Sequence, residues 1–316
     1  MHIAVKIPGE NNEDKILIHG GEKDGKMLSS FNLFNLKFNK WMSFNPTDII
    51  PQLKGHSACL YFDVNKNEYY VIITGGVQRD HITGCNAVTN DQREKCLCDL
   101  ENITGSIYAY KDQTFYNLRV TNKSDLGDKL KRYGHSLICT NDKILYMFGG
   151  FIQYKGYMGD LIKLTLVHDP KEKYTVFAEE IKLKSSITGR MFASVSYVFD
   201  RLIIFGGLSD NNSLNDFHII NLKKDHEVIV IPPYSKEYIY CRLGMSDCVI
   251  YDTLNQDLAR IFIFGGSYWS GKYLVPGMCN ELLVVEVEVI FVLIFRGKRI
   301  LMIFHLILRS QLSIER

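Results

Sequence analysis

The chain predicts an all-β fold of repeated four-stranded sheets, and three observations predict it. An apolar run ending in paired glycines occurs five times, as ILIHGG (16–21), VIITGG (71–76), LYMFGG (145–150), LIIFGG (202–207) and IFIFGG (261–266). The second glycines fall at 21, 76, 150, 207 and 266, so successive spacings are 55, 74, 57 and 59 residues, a repeat period with one insertion. Further β-rich runs flank each diglycine run, and polar turns separate them. Sheets of this size cannot bury both faces alone and must stack side by side around an axis. That is a β-propeller with five recognisable blades.

The elements follow in order within each blade. First strands are expected at GHSACLYF (from 55), YGHSLIC (from 133), FASVSYVF (from 192) and GMSDCVIY (from 244). Each joins its diglycine strand through a polar turn such as Asn141-Asp142 or Asp200-Arg201, a hairpin signal. Third strands open at SSFNLFNL (from 29), GSIYAYKD (from 105), GDLIKLTL (from 159), NDFHIINL (from 215) and NELLVVEV (from 280). Fourth strands are marked by Trp41, Phe115-Tyr116, Tyr174 with Val176-Phe177, and Val228-Ile229-Val230. The blades then span about 1–50, 51–120, 121–185, 186–234 and 235–288.

The structural diglycines are Gly20-Gly21, Gly75-Gly76, Gly149-Gly150, Gly206-Gly207 and Gly265-Gly266. Each ends a second strand where the chain must leave through a turn that needs positive φ or no Cβ. Glycine tolerates both, at an entropic cost of roughly 0.5–1 kcal/mol each. None of the five runs shows GxGxxG or the Walker pattern, so they do not read as nucleotide loops.

Composition bounds the function classes. With 46% hydrophobic and 23% charged residues in 316, the chain reads as globular. A formal charge of +2 gives no reason to expect nucleic acid. Residues 289–316 hold five Lys and Arg against Glu315 alone, a surplus of four, which leaves about −2 on residues 1–288. No secretory signal is legible at the N-terminus, so a cytoplasmic chain with reduced thiols is expected. Cys59, Cys139 and Cys248 follow the first-strand motif, where a thiol acts as a small core residue. The sequons at Asn102, Asn122 and Asn211 are then silent.

Period, hairpin and diglycine together resemble the kelch-repeat family over about residues 1–288. The best-matching unit is RYGHSLICTNDKILYMFGG (132–150), with Arg, x, Gly, His, Ser ahead of the first strand. Trp41 alone matches the family's fourth-strand tryptophan, and His2 stands where the first strand of the first blade is already under way. Kelch propellers commonly have six blades, and five are countable, so the resemblance implies an incomplete six-bladed ring. Residues 289–316, VIFVLIFRGKRILMIFHLILRSQLSIER, depart from the pattern as an apolar and basic tail. Arg296, Lys298 and Arg299 split it into pieces too short for a membrane-spanning helix. The pieces read either as two strands joined by RGKR or, the preferred reading, as read-through in a gene model that is partial at both ends.

In the kelch family the arginine before the first-strand Gly-His points into the central pocket, and in some members it binds acidic peptides. The matching positions are Arg132, Arg190 and Arg242, with Leu53 in the second blade. The resemblance implies a rim of guanidiniums able to make bidentate bonds to carboxylates. The alternative is that these arginines brace the blades through local carbonyls. The insertion in the second blade makes a thirty-residue loop, VQRDHITGCNAVTNDQREKCLCDLENITGS (77–106), where other blades have about ten residues; by the resemblance it would emerge on the same face and add Arg79, His81 and Arg93 to the surface.

His81, Cys85, Cys96 and Cys98 lack the paired C-x2-C spacing of structural zinc, so no metal is expected. No cofactor is expected either. The family's copper-oxidase and metallophosphatase chemistries leave no trace: GDxHG, GNHE, GxSxG and HExxH are absent, and GDLIK at 159 opens a strand. The iron-dependent specifier pattern ExxxDxxxH fails where Glu10 and Asp14 lead to Ile18. The expected function is protein–protein recognition by a kelch propeller, through the arginine rim and the long loop, with no catalysis, nucleic acid or membrane. The alternative is the substrate-reading part of a longer kelch protein, a ubiquitin-ligase adaptor or a kelch-fused phosphatase.

Overall fold

Alternation of apolar and polar residues in IAVKI, KILIH and FNLFN puts every second side chain on one face of an extended strand. In the computed structural model these become β1 (Ile3–Ile7), β2 (Lys15–His19) and β3 (Phe31–Asn35), and β4 (Lys40–Met42) completes an antiparallel sheet in that order. The structure describes residues 2–23, 26–42, 52–78, 103–112, 114–122, 126–169, 173–210, 212–231, 242–270, 273–278, 282–296 and 299–313. Among them there are strands and short 3-10 turns, and no α-helical element: the fold is all-β.

The chain forms two compact units, residues 1–182 with 188–191 and residues 183–187 with 192–316. The first unit holds the first sheet and two more. Sheet two is β5 (Ser57–Asp63), β6 (Glu68–Thr74), β7 (Ile107–Lys111) and β8 (Thr114–Val120). Sheet three is β9 (Ser136–Cys139), β10 (Leu145–Phe148), β11 (Leu161–Asp169) and β12 (Lys173–Ile181). A short parallel pairing of β8 with β12, Arg119 opposite Thr175 and Val120 opposite Val176, joins the two into one eight-stranded sheet. Its ends also approach, since the Leu137 amide of β9 donates to Ser57 Oγ of β5 at 3.0 Å, so this sheet is nearly closed.

Each sheet buries one face against its neighbour. Ile3, Val5, Leu17, Phe31 and Leu33 of sheet one meet Val71, Ile73 and Tyr110 of sheet two. The opposite face of sheet two, including Ile72, Ile107 and Ala109, meets Leu145, Met147 and Ile162 of sheet three. Cys59 and Cys139 are half-buried against this second core, and burial pushes the Cys139 thiol up to about 11, so it packs as a neutral apolar group.

The second unit repeats the pattern. Sheet four is β13 (Ser194–Val198), β14 (Arg201–Phe205), β15 (Phe217–Asn221) and β16 (Val228–Ile231). Sheet five is β17 (Ser246–Tyr251), β18 (Leu258–Phe264), β19 (Leu282–Arg296) and β20 (Arg299–Ser313). Ile203, Phe205, Phe217 and Ile219 pack on Ala259, Ile261, Ile263, Leu283 and Val285. The β13–β14 turn differs from the sequence expectation by one residue. Val198 pairs with Arg201, so the tight turn is Phe199-Asp200, with φ of 47° and 58°. The 288/289 boundary read from composition also falls inside an element: β19 runs through it and pairs with β20 from Leu282–Ser313 to Arg296–Arg299.

Candidate partner-binding site

The diglycine turns organise the side of each sheet where a site would form. All ten glycines have positive φ, 58° to 71° at the first position and 91° to 100° at the second. A Cβ on the first glycine would also strike a carbonyl of the next segment. It would lie 2.4 Å from the Leu53 oxygen at Gly20, 2.4 Å from that of Arg132 at Gly75, and 2.6 Å from that of Arg190 at Gly149. Conformation and close approach therefore both call for glycine here.

That close approach is a main-chain latch. At four of the five turns the second glycine donates its amide to the carbonyl that ends the next segment: Gly21 to Leu53 at 2.8 Å, Gly76 to Arg132 at 2.9 Å, Gly150 to Arg190 at 2.8 Å and Gly207 to Arg242 at 2.7 Å. Sequence reasoning attended to the arginine side chains and missed this role of their carbonyls. A main-chain acceptor leaves no residue-type signature, and Leu53 fills the position equally well.

The side chains of Arg132, Arg190 and Arg242 are each 0% exposed. Arg132 makes a bidentate pair with Asp160, Nη1 to Oδ1 at 2.8 Å and Nη2 to Oδ2 at 3.1 Å. It also donates from Nη1 to the Gly149 carbonyl at 2.8 Å and from Nε to the Lys129 carbonyl at 2.5 Å. Arg190 donates Nε to the Thr188 carbonyl at 3.1 Å. For Arg132 this is bracing geometry: four of the five N–H donors of its guanidinium are spent on a half-buried carboxylate and local carbonyls. Arg79, His81 and Arg93, together with Cys85, Cys96 and Cys98, lie outside the described residues.

Histidines line the same turns. His19 and His56 approach edge to face with ring centroids 5.1 Å apart, and Thr74 Oγ1 lies 2.7 Å from His135 Nε2. Neither ring nitrogen of His56 meets a hydrogen-bond partner among the described residues. Burial holds the His19 pKa down at about 4. Burial, with the nearby Arg132 charge, holds that of His135 at about 3. Burial drives His56 well below the ordinary histidine value, and His19 and His135 add to the effect. All three rings are neutral core residues at pH 7. Among the described residues no group of three His, Cys, Asp or Glu could hold a metal ion.

Beyond four of the diglycines the chain forms a small ribbon, and one of them presents an aromatic surface. Phe151–Ile152 pairs with Gly156–Tyr157 around the tip Gln153-Tyr154-Lys155. Phe151 packs between Tyr133, at 5.6 Å, and Tyr157, at 5.3 Å between ring centroids. At the tip, Tyr154 is 93% exposed and holds φ at 65°. Sequence reading passed over this residue, because Tyr in a six-residue loop looks like any other loop residue. Its signal lies in the backbone conformation.

Among the described residues no helix is long and apolar enough to cross a membrane. The sequence matches no protein-family model and no curated protein.

Proposed function

We propose that the chain is a kelch-like β-propeller that recognises a protein partner through the ribbons and loops after its diglycine turns. The observation that supports this best is Tyr154. Left-handed backbone costs a bulky L-residue about 1–2 kcal/mol, and an aromatic ring standing in water recovers none of it by packing. A tyrosine held that way is a ready contact, large, with few rotatable bonds and an apolar body carrying a polar tip. Phe151, Tyr133 and Tyr157 form a firm base under it.

In this reading the buried arginines set the spacing of the sheets, and the capture surface is aromatic rather than cationic. The chain then acts by binding alone, without a cofactor, in a reducing compartment that suits its thiols. The test is quantitative affinity purification with wild type, Tyr154→Gly and, as control, Lys163→Ala on β11. Glycine suits the tip conformation, so Tyr154→Gly should keep the melting temperature while recovery of the partner falls roughly 30-fold, the worth of a hot-spot aromatic of about 2 kcal/mol. Equal recovery by wild type and Tyr154→Gly would remove the reading.

A further inference from the structure

The seam between sheets one and two leaves polar atoms without partners. His19 ends β2 directly before the first diglycine, as Thr74 ends β6 directly before the second. In the second seam Thr74 Oγ1 lies 2.7 Å from His135 Nε2, so a hydroxyl answers the ring. In the first seam the matching pair is His19 and His56, with ring centroids 5.1 Å apart and planes at 62°. His19 is 0% and His56 6% exposed, yet His19 Nε2 and both ring nitrogens of His56 have no hydrogen-bond partner among the described residues. Buried polar atoms are nearly always paired, so three orphans at one junction point to a ligand rather than to a packing role that threonine fills without them.

The ring chemistry suits a metal. His19 Nδ1 lies 3.2 Å from the Ser30 carbonyl, which can only accept, so Nδ1 holds the proton and Nε2 keeps a free lone pair. A carbonyl behind one ring nitrogen is how metal-binding histidines are commonly oriented. His56 lies on the same turn: a Cβ at Gly20 would come 2.7 Å from its Cε1 and 3.3 Å from its Nε2. Burial keeps both rings neutral at pH 7, the form that coordinates. The donor set then selects the ion. Zinc and similar divalent ions want three or more protein ligands, and no such group of His, Cys, Asp or Glu occurs among the described residues. The groups that press on His56 include His19 and His135 and no carboxylate, and the cost of burying charge grows as its square, so one positive charge is tolerated far better than two. Two neutral imidazoles, with Phe31 5.6 Å and Phe115 6.1 Å from His19 between centroids, suit a soft monovalent ion satisfied by two ligands.

We propose that His19 and His56 bind one Cu(I) ion between them, as a two-coordinate bridge that ties sheet one to sheet two. The ion is a cross-link and takes no part in a reaction, and the inference does not depend on Tyr154. Bonds of about 2 Å from each nitrogen set the ring centres of a linear bridge roughly 6 Å apart, so the rings part by about 1 Å or hold the ion at a bend. The bridge lies beside the bond from Gly21 to the Leu53 carbonyl and adds a side-chain tie to that main-chain one.

The test is anaerobic titration of the full chain with Cu(I), supplied as its acetonitrile complex against a competing colorimetric chelator, while isotope-edited NMR follows the histidine rings. Thiols also take Cu(I), so the readout is the difference between variants. Wild type should hold one equivalent that His19→Leu and His56→Leu each bind at least about 100-fold more weakly, and two histidine rings should shift as it binds. His135→Leu, which removes the ring already answered by Thr74, should keep the equivalent. Zn(II) at the same concentration should move neither ring. Circular dichroism establishes that each variant is folded. If a leucine variant is not, His19→Thr, which copies the hydroxyl of Thr74, takes its place and should lose the equivalent in a folded chain. Equal copper uptake by wild type and the variants, with binding at thiols alone, would overturn the proposal. So would rings that do not respond to Cu(I), rings that Zn(II) shifts equally, loss of the equivalent in folded His135→Leu, or NMR couplings that show the two rings bonded to each other or to water with Cu(I) present.

Discussion

Between sheets one and two Gly21 donates to the carbonyl of Leu53, and between sheets two and three Gly76 donates to that of Arg132, at 2.8 and 2.9 Å. Around these matching bonds the two seams differ. The first is mainly apolar and aromatic, with Phe31 4.5 Å from Tyr110 and 5.3 Å from Phe115 between ring centroids, and a cleft of about 190 Å3 lined by Ile7, Leu33, Leu60 and Val71 together with Lys15, Lys111 and Asp112. The second is cross-tied by polar groups: Thr74 with His135, Ser57 with the Leu137 amide, Tyr174 with Asp63, and Arg132 anchored on Asp160 within sheet three. The latch is thus the shared requirement of the repeat. What surrounds it is free to be oil or salt.

The largest effect that would break this comparison is at Arg132. Arg132→Met leaves the Asp160 carboxylate, 12% exposed, without its cation, and should cost about 3–5 kcal/mol in urea unfolding. Arg132→Met combined with Asp160→Leu should recover most of it, because a paired removal leaves no orphaned charge. If the double variant is as unstable as the single, the arginine acts otherwise than by bracing.

Next come the glycines. Gly20→Ala and Gly75→Ala should each cost about 2–4 kcal/mol, by similar amounts, since φ is +70° and +58° and the Leu53 and Arg132 carbonyls respectively lie 2.4 Å from the added carbon. Gly156→Ala, with positive φ but open space around it, should cost only about 1 kcal/mol. A large difference between Gly20 and Gly75 would show that the seams do not share the latch.

Acid sharpens the contrast further. The unfolded chain protonates histidine near pH 6.5, while folded His19 stays neutral to about 4 and His135 to about 3. Between those values the unfolded state binds more protons, so stability is full above pH 6.5 and falls as pH drops, by about 1.4 kcal/mol per pH unit for each such ring. His56→Leu should flatten the acid limb at little cost at pH 7, whereas His135→Leu should flatten it and also lose the bond to Thr74. Urea midpoints from pH 7 to 5 give both numbers. The smallest effect belongs to the surface pair Lys54–Glu22 at 3.1 Å, where Lys54→Ala should change stability by less than about 0.5 kcal/mol.

Much of the fold was legible because repetition reports geometry. Paired glycines at regular spacing mark a turn that side chains cannot make, and the runs around them gave the strands to within a few residues, including the fourth strand at Trp41. The β13–β14 turn was misplaced by one residue because Asp200 advertises a turn while Phe199, in the same left-handed region, does not. The candidate site was less legible. Arg132 was visible as an arginine, but its tie to Asp160 spans 28 residues, and GDLIK read only as the start of a strand. Burial decides between bracing and capture, and local sequence does not encode burial. The contrast of Phe264 with Phe205 makes the same point, as two phenylalanines in identical FGG contexts differ from 54% to 1% in exposure.

The bond from the second glycine, present at four of the five turns, runs between two peptide groups, yet its two ends differ in their tolerance of change. At the donor end one amino acid serves. At the acceptor end leucine and arginine already interchange, and any residue with a carbonyl would do. Variation among descendants of such a repeat should therefore gather on one bank of every junction, and new side-chain chemistry can be tried there without loosening the joint.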